Sequence, residues 1–142
     1  MSMHVDPCFS LALRRADRIV TQLYNQHMAA SGLRGTQYSV MRAVGDHGCV
    51  TAGDLSRSLR MDQTTVSRAL KPLLRDGLLK ASASPTDGRE KMLCITDEGR
   101  ELLGATQSAW EKAQQELRAA LGEETSQQLL AVTRKIAALG EP

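Results

Sequence analysis

The chain has 142 residues, enough for one compact unit with a helical extension, and its 42% hydrophobic content supports a core without staples. No run of 18 apolar residues occurs and the N-terminus has no charged start followed by an apolar run, so we expect neither a membrane span nor a signal peptide, and a cytoplasmic protein. The net charge is +2, but residues 51–95 carry eight Lys/Arg against five Asp/Glu, whereas residues 96–142 carry five against eight. A basic middle beside an acidic tail points to an anionic partner for the middle.

Asp6 and Pro7 suit an N-cap and a first helical position. The helix they open runs from Cys8 to about Ser31, with Leu11, Ile19, Leu23 and Met28 on it, and stops at Gly32. Thr36 is placed to cap a second helix bearing Tyr38, Val40, Met41 and Val44, which ends before Gly48. Thr51-Ala52-Gly53-Asp54 has capping-box spacing with Asp in the last position. It starts a short helix over 52–59, buried through Leu55 and Leu59. After a turn at Arg60-Met61, Asp62 caps a helix over 62–75 that contains Pro72, where a backbone bond is lost. Leu78–Ala83 and Lys91–Ile95 read as two strands around the turn Ser84-Pro85-Thr86-Asp87-Gly88. Thr96 caps a long helix to Leu121, Gly122 breaks it, and a last helix spans about Glu124 to Leu139. The fold class is mainly α with a small β-hairpin.

Two short helices joined by a tight turn have helix-turn-helix geometry. On the second, Val66, Ala69, Leu70 and Leu73 fall at three- and four-residue spacing and form the core face. Gln63, Thr64, Ser67, Arg68 and Lys71 share the opposite face, which bears no acid. Gln pairs with adenine and Arg with guanine in a major groove, while Thr, Ser and Lys suit phosphate oxygens. The alternative is a solvated face, which ordinarily mixes Glu with Lys. On the hairpin tip, Arg89 can enter a minor groove, held by Asp87 in a bidentate pair. The alternative there is a surface salt bridge.

Cys8, Cys49 and Cys94 are odd in number and widely spaced, without C-x-x-C, so no disulfide framework is expected; Cys49 and Cys94 read as packing residues. His4, His27 and His47 have no ligand-like spacing with them, so no metal site or other cofactor is expected. No phosphate loop or nucleophile motif suggests an enzyme. A winged-helix protein-interaction module remains the alternative to a DNA binder; the absence of acid on the 63–71 face argues against it.

Met61-Asp62-Gln63-Thr64-Thr65-Val66-Ser67-Arg68, followed by Asp87-Gly88-Arg89, Leu93, Ile95-Thr96 and Gly99, resembles the MarR family over nearly the whole chain. The resemblance implies a winged helix-turn-helix over residues 35–96 and a dimerisation region over 1–34 and 97–142. It implies a homodimeric repressor of double-stranded DNA, with the 62–75 helix, Thr65 included, in the major groove and Arg89 in the minor groove. The dimer would read a pseudo-palindrome and be released by a small phenolic ligand or an oxidant. Spare apolar stripes on the terminal helices fit a two-fold partner, or else an intramolecular bundle.

The same resemblance singles out Cys8, in the sequence Pro7-Cys8-Phe9 at the start of the first helix, as a candidate redox sensor, the helix dipole favouring its thiolate. Tyr38 matches a supporting tyrosine of such sensors, though farther from Cys8, and Tyr24 is out of register with the other. The alternative is a packed helical cysteine. Tyr24, Met28, Tyr38 and Met41 are candidate lining for an effector pocket, or simply core.

Overall fold

In a computed structural model, which describes residues 8–86 and 88–141, the chain forms six α-helices and a three-stranded sheet. The elements are α1 (Phe9–Met28), α2 (Gly35–His47), β1 (Cys49–Thr51), α3 (Ala52–Leu59), α4 (Gln63–Arg75), β2 (Leu79–Ala83), β3 (Lys91–Ile95), α5 (Asp97–Leu121) and α6 (Glu123–Ala138). The expected Asp6-Pro7 cap lies outside the described residues.

Local chemistry sets most boundaries. The hydroxyls of Thr51 and Thr96 and the carboxylate of Asp62 each accept the N–H three residues on, from Asp54 at 3.0 Å, Gly99 at 3.0 Å and Thr65 at 2.7 Å. Each satisfies one of the orphan donors of a helix start. α2 departs from expectation: it starts at Gly35, not after a Thr36 cap. The Gln37 side chain accepts the Arg34 N–H at 2.9 Å, and the Asn25 side chain accepts the Gly35 N–H at 3.0 Å, so the start is fixed one step earlier. α1 tightens into a 3₁₀ turn at Ala29–Ser31 and ends at Gly32, whose φ of +77° suits a residue without a β-carbon. α4 continues through Pro72, which sits one turn from its end.

The sheet has the order β1-β3-β2, both pairs antiparallel. β2 and β3 form the expected hairpin, with Leu79 opposite Ile95 and Ala83 opposite Lys91. β1, unforeseen from the sequence, adds to the far side of β3 with Cys49 opposite Cys94 and Thr51 opposite Met92. Cys49 and Cys94 are joined in a disulfide, their α-carbons 4.1 Å apart. This corrects the expectation of unpaired packing cysteines, because pairing across a sheet leaves no trace in linear spacing.

The core lies mostly within the α2–β3 unit. Tyr38, Val40, Met41 and Val44 of α2, Leu55 of α3, Val66, Ala69, Leu70 and Leu73 of α4, and Leu79, Leu93 and Ile95 of the sheet are buried together. α1 adds only its last residue, Met28, and α6 adds no buried apolar residue. α1 packs on α5, which carries α6. Phe9 and Leu139, each 86% exposed, and Leu13, Ile19, Leu130, Val132 and Ile136 remain on the surface of these helices.

Candidate nucleic-acid interface

α3 and α4 meet at a turn of three residues, Arg60–Asp62. Arg60 takes a left-handed conformation, φ 52°, and its N–H returns to the Arg57 carbonyl at 3.2 Å, ending α3 abruptly. The Asp62 carboxylate then nucleates α4. Its pKa is lowered, chiefly by the hydrogen bond from the Thr65 N–H, so the cap is ionised at neutral pH.

α4 presents two faces. Val66, Ala69, Leu70 and Leu73 are buried, while Gln63, Thr64, Thr65, Ser67, Arg68 and Lys71 are exposed. Gln63, Thr64, Ser67, Arg68 and Lys71 line one shallow groove of about 340 Å³. Thr65 stands outside that lining, its N–H engaged by the cap. Among the described residues no salt bridge engages Arg68 or Lys71, whereas Arg75 at the helix end binds Asp76 at 3.0 Å. The groove lining offers two cations, two hydroxyls and one amide, a donor set matched to phosphate and base edges, and the nearby carboxylate that acts on Arg68, that of Asp62, is held by the helix cap.

The hairpin closes on Ser84, whose N–H donates to the Glu90 carbonyl at 2.9 Å. Ser84 is buried, and its hydroxyl accepts the Thr86 N–H at 3.3 Å. Arg89 is exposed on the tip. Asp87, expected to hold it, lies outside the described residues.

The base of the hairpin is tied to α5. The Thr96 hydroxyl faces the carbonyls of Gly77 and Leu78 at 2.7 and 3.0 Å while capping α5. One side chain thus joins the end of α4, the start of β2 and the start of α5.

The residues expected around an effector pocket are divided. Tyr24 lines a groove of about 300 Å³ between α1 and α2, with Val20, Thr21, Thr36 and Ser39 beside it and Met61 from the α3–α4 turn. Burial raises the Tyr24 pKa, so its phenol stays protonated and able to donate. Met28, Tyr38 and Met41 are instead covered core residues, at most 2% exposed. Tyr38 stacks on Trp110, ring centroids 5.7 Å apart, and the Arg42 guanidinium lies 4.6 Å from the centre of the Trp110 ring. That stack was not foreseen, since Tyr38 and Trp110 are far apart in sequence. Cys8 is exposed and stands just before α1 as its N-cap rather than within its first turn; its carbonyl accepts the Ala12 N–H at 3.0 Å. Among the described residues no group of His, Cys, Asp and Glu has metal-binding geometry, and no helix is long and apolar enough to cross a membrane.

Comparison with known proteins finds this geometry in a set of transcriptional regulators. A family model described as MarR family matches residues 31–90. The transcriptional regulator HosA of Escherichia coli is 26% identical over 132 residues, covering 89% of this chain and 98% of its own. The transcriptional repressor NicR of Pseudomonas putida is 28% identical over 93 residues, 66% of this chain and 59% of its own. The transcriptional regulator MOSR of M. tuberculosis, solved in complex with DNA, superposes with a TM-score of 0.80 at 27% identity, covering 94% of this chain and 98% of that one. Bordetella bronchiseptica BpsR, whose DNA binding is regulated by 6-hydroxynicotinic acid, superposes with a TM-score of 0.85 at 25% identity, over 96% and 98%. These relatives are regulators rather than enzymes, and the mainly helical fold with its small sheet is theirs. Residues 31–90 thus match the MarR family, and the chain as a whole is similar to DNA-binding transcriptional regulators.

Proposed function

We propose that the chain acts as a homodimeric repressor that reads a pseudo-palindromic operator and releases it on binding a small aromatic effector. The observation that carries the reading is the groove on α4 lined by Gln63, Thr64, Ser67, Arg68 and Lys71, none of them acidic. Gln63 and Arg68 would make paired hydrogen bonds to bases, Thr64, Thr65, Ser67 and Lys71 would hold phosphates, and Arg89 would enter the minor groove beyond.

Dimerisation is supported by the apolar surface of the terminal helices. Phe9, Leu13 and Ile19 on α1 and Leu130, Val132 and Ile136 on α6 are exposed, and a second copy with the same patch is the simplest cover. Two such heads would meet half-sites about one helical turn apart. The effector seat best supported is the α1–α2 groove at Tyr24, because Met61 on its rim belongs to the α3–α4 turn and links the groove to the start of α4. An oxidant route would act instead at the exposed Cys8, at the positive end of α1.

The test is fluorescence anisotropy of the protein on the duplex upstream of its own gene, against a scrambled duplex, at two salt concentrations. Tighter binding to the native duplex that weakens steeply with salt is the expected result. Equal, weak binding to both would favour a winged helix that docks another protein.

A further inference from the structure

The Cys49–Cys94 disulfide lies at the seam between the helix-turn-helix and the hairpin. Cys49 opens β1, an edge strand of three residues whose ladder partner is β3 alone. Two residues on, Thr51 caps α3. Cys94 lies in β3, the central strand, and is followed by Ile95 and the Thr96 junction. The two cysteines are 45 positions apart, and the chain between them contains α3, α4, β2 and the hairpin tip. The bond is thus a clip that closes the two ends of the DNA-reading unit on each other.

The clip is reachable. Cys49 is exposed and Cys94 half-buried. A cleft of about 420 Å³ opens beside Cys49, lined also by His47, Thr51, Asp54 and Met92, a size that admits a small molecule. In thiol-buffered surroundings a disulfide that solvent can reach is a state rather than a fixture.

We propose that Cys49–Cys94 is a reversible redox-modification site whose oxidised state tightens DNA binding. A small thiolate attacks Sγ of Cys49, Cys94 leaves as a thiolate and takes up a proton, and a mixed disulfide remains on Cys49. A second thiolate attacks the sulfur of the bound thiol, freeing Cys49 and releasing the oxidised small disulfide. In sum, one protein disulfide and two small thiols become two protein thiols and one small disulfide; the reverse reaction needs only the small disulfide as oxidant. Oxidation pins β1, and with it the start of α3, to the hairpin base, so α4 and the tip meet DNA at a fixed separation. Reduction leaves a three-residue ladder to hold that register, and the freedom regained must be lost again on binding.

The chemistry stands apart from the DNA-binding reading; the output rests on it, so the test reads the two separately. The full-length protein is equilibrated in glutathione/glutathione disulfide buffers, alkylated and weighed. In chains whose Cys8 carries no glutathione, which the added mass of an adduct would reveal, the oxidised form takes one alkyl group and the reduced form three. A reversible transition between one and three is expected, together with an operator affinity several-fold tighter at the oxidised end. A Cys49→Ser, Cys94→Ser variant should bind with one affinity in every buffer, and because the titration uses the unaltered protein, a misfolded variant would not spoil the result. A mass pattern fixed at either extreme in all buffers overturns the proposal, as does cycling with equal or weaker affinity when oxidised. Absence of operator binding in both states would instead remove the DNA reading and, with it, the proposed output.

Discussion

Gly99 sets its α-carbon directly against the Leu78 carbonyl: a β-carbon at that position would stand 2.1 Å from the oxygen and 2.9 Å from Ile95. The obstacle is backbone, held by Thr96, so it cannot turn aside as a side chain would. Gly99→Ala should therefore push the start of α5 off the hairpin base and cost about 3 kcal/mol, the upper part of the overpacking range. Urea unfolding of the two proteins measures it; a loss under about 0.5 kcal/mol, the size of an ordinary surface change, would mean the junction yields freely.

Arg68→Ala should weaken operator binding by about 1–3 kcal/mol and relax the preference for native over scrambled duplex, as loss of a base contact does. Lys71→Ala should weaken both duplexes alike and lower the salt dependence, as loss of a phosphate contact does. Arg89→Ala should cost most on A·T-rich flanks, where a narrow minor groove deepens the negative potential. An Arg68→Ala loss equal on both duplexes would reassign Arg68 to phosphate.

Three carboxyls have folded-state pKa values below the ordinary carboxylate range: Asp54 through Arg57, Asp62 through the Thr65 N–H, and Glu123 through Arg118. A depressed folded pKa gives stability that is complete above the unfolded value, near 4, and lost as pH falls through the folded value. Stability should thus be level near neutrality with respect to these groups and decline below about pH 4. Asp62→Asn, which keeps a capping oxygen, should make that acid-side decline shallower in urea titrations between pH 3 and 6. An unchanged slope would show that the cap contributes nothing to it.

Leu130→Asp places a charge on the exposed apolar face of α6. Light scattering should find the wild type at twice the 15.5 kDa chain mass and the variant at the single mass, with the circular dichroism of α6 and the core retained. A wild type that is already monomeric at working concentration would refute the dimer.

An oxidant route through Cys8 predicts that a hydroperoxide releases the wild type from DNA and leaves Cys8→Ser bound. Release that persists in the variant would place oxidation elsewhere. Its direction opposes that proposed for Cys49–Cys94, so the two cysteine sites separate by sign.

What was legible in the sequence was local. Thr51, Asp62 and Thr96 announce helix starts because the donor each satisfies lies three residues away. The buried face of α4 follows from spacing alone, and so does the gathering of Gln63, Thr64, Ser67, Arg68 and Lys71 on the other side. What escaped was non-local. β1 is three residues long and exists only because β3 pairs with it. The disulfide follows from that register, and a sequence separation of 45 conceals it. Met28, Tyr38 and Met41 could be read as pocket or as core, since apolar lining and apolar filling use the same residues; only their burial separates them from Tyr24.

On α4 the side chains that hold the fold and those that face outward are disjoint sets, separated by the turn of one helix. Substitution on the outer set alters the vocabulary of the molecule without disturbing its grammar. On the proposed reading of α4, a lineage carrying this scaffold could change the address it recognises one exposed residue at a time, with Val66, Ala69, Leu70 and Leu73 keeping the helix seated throughout.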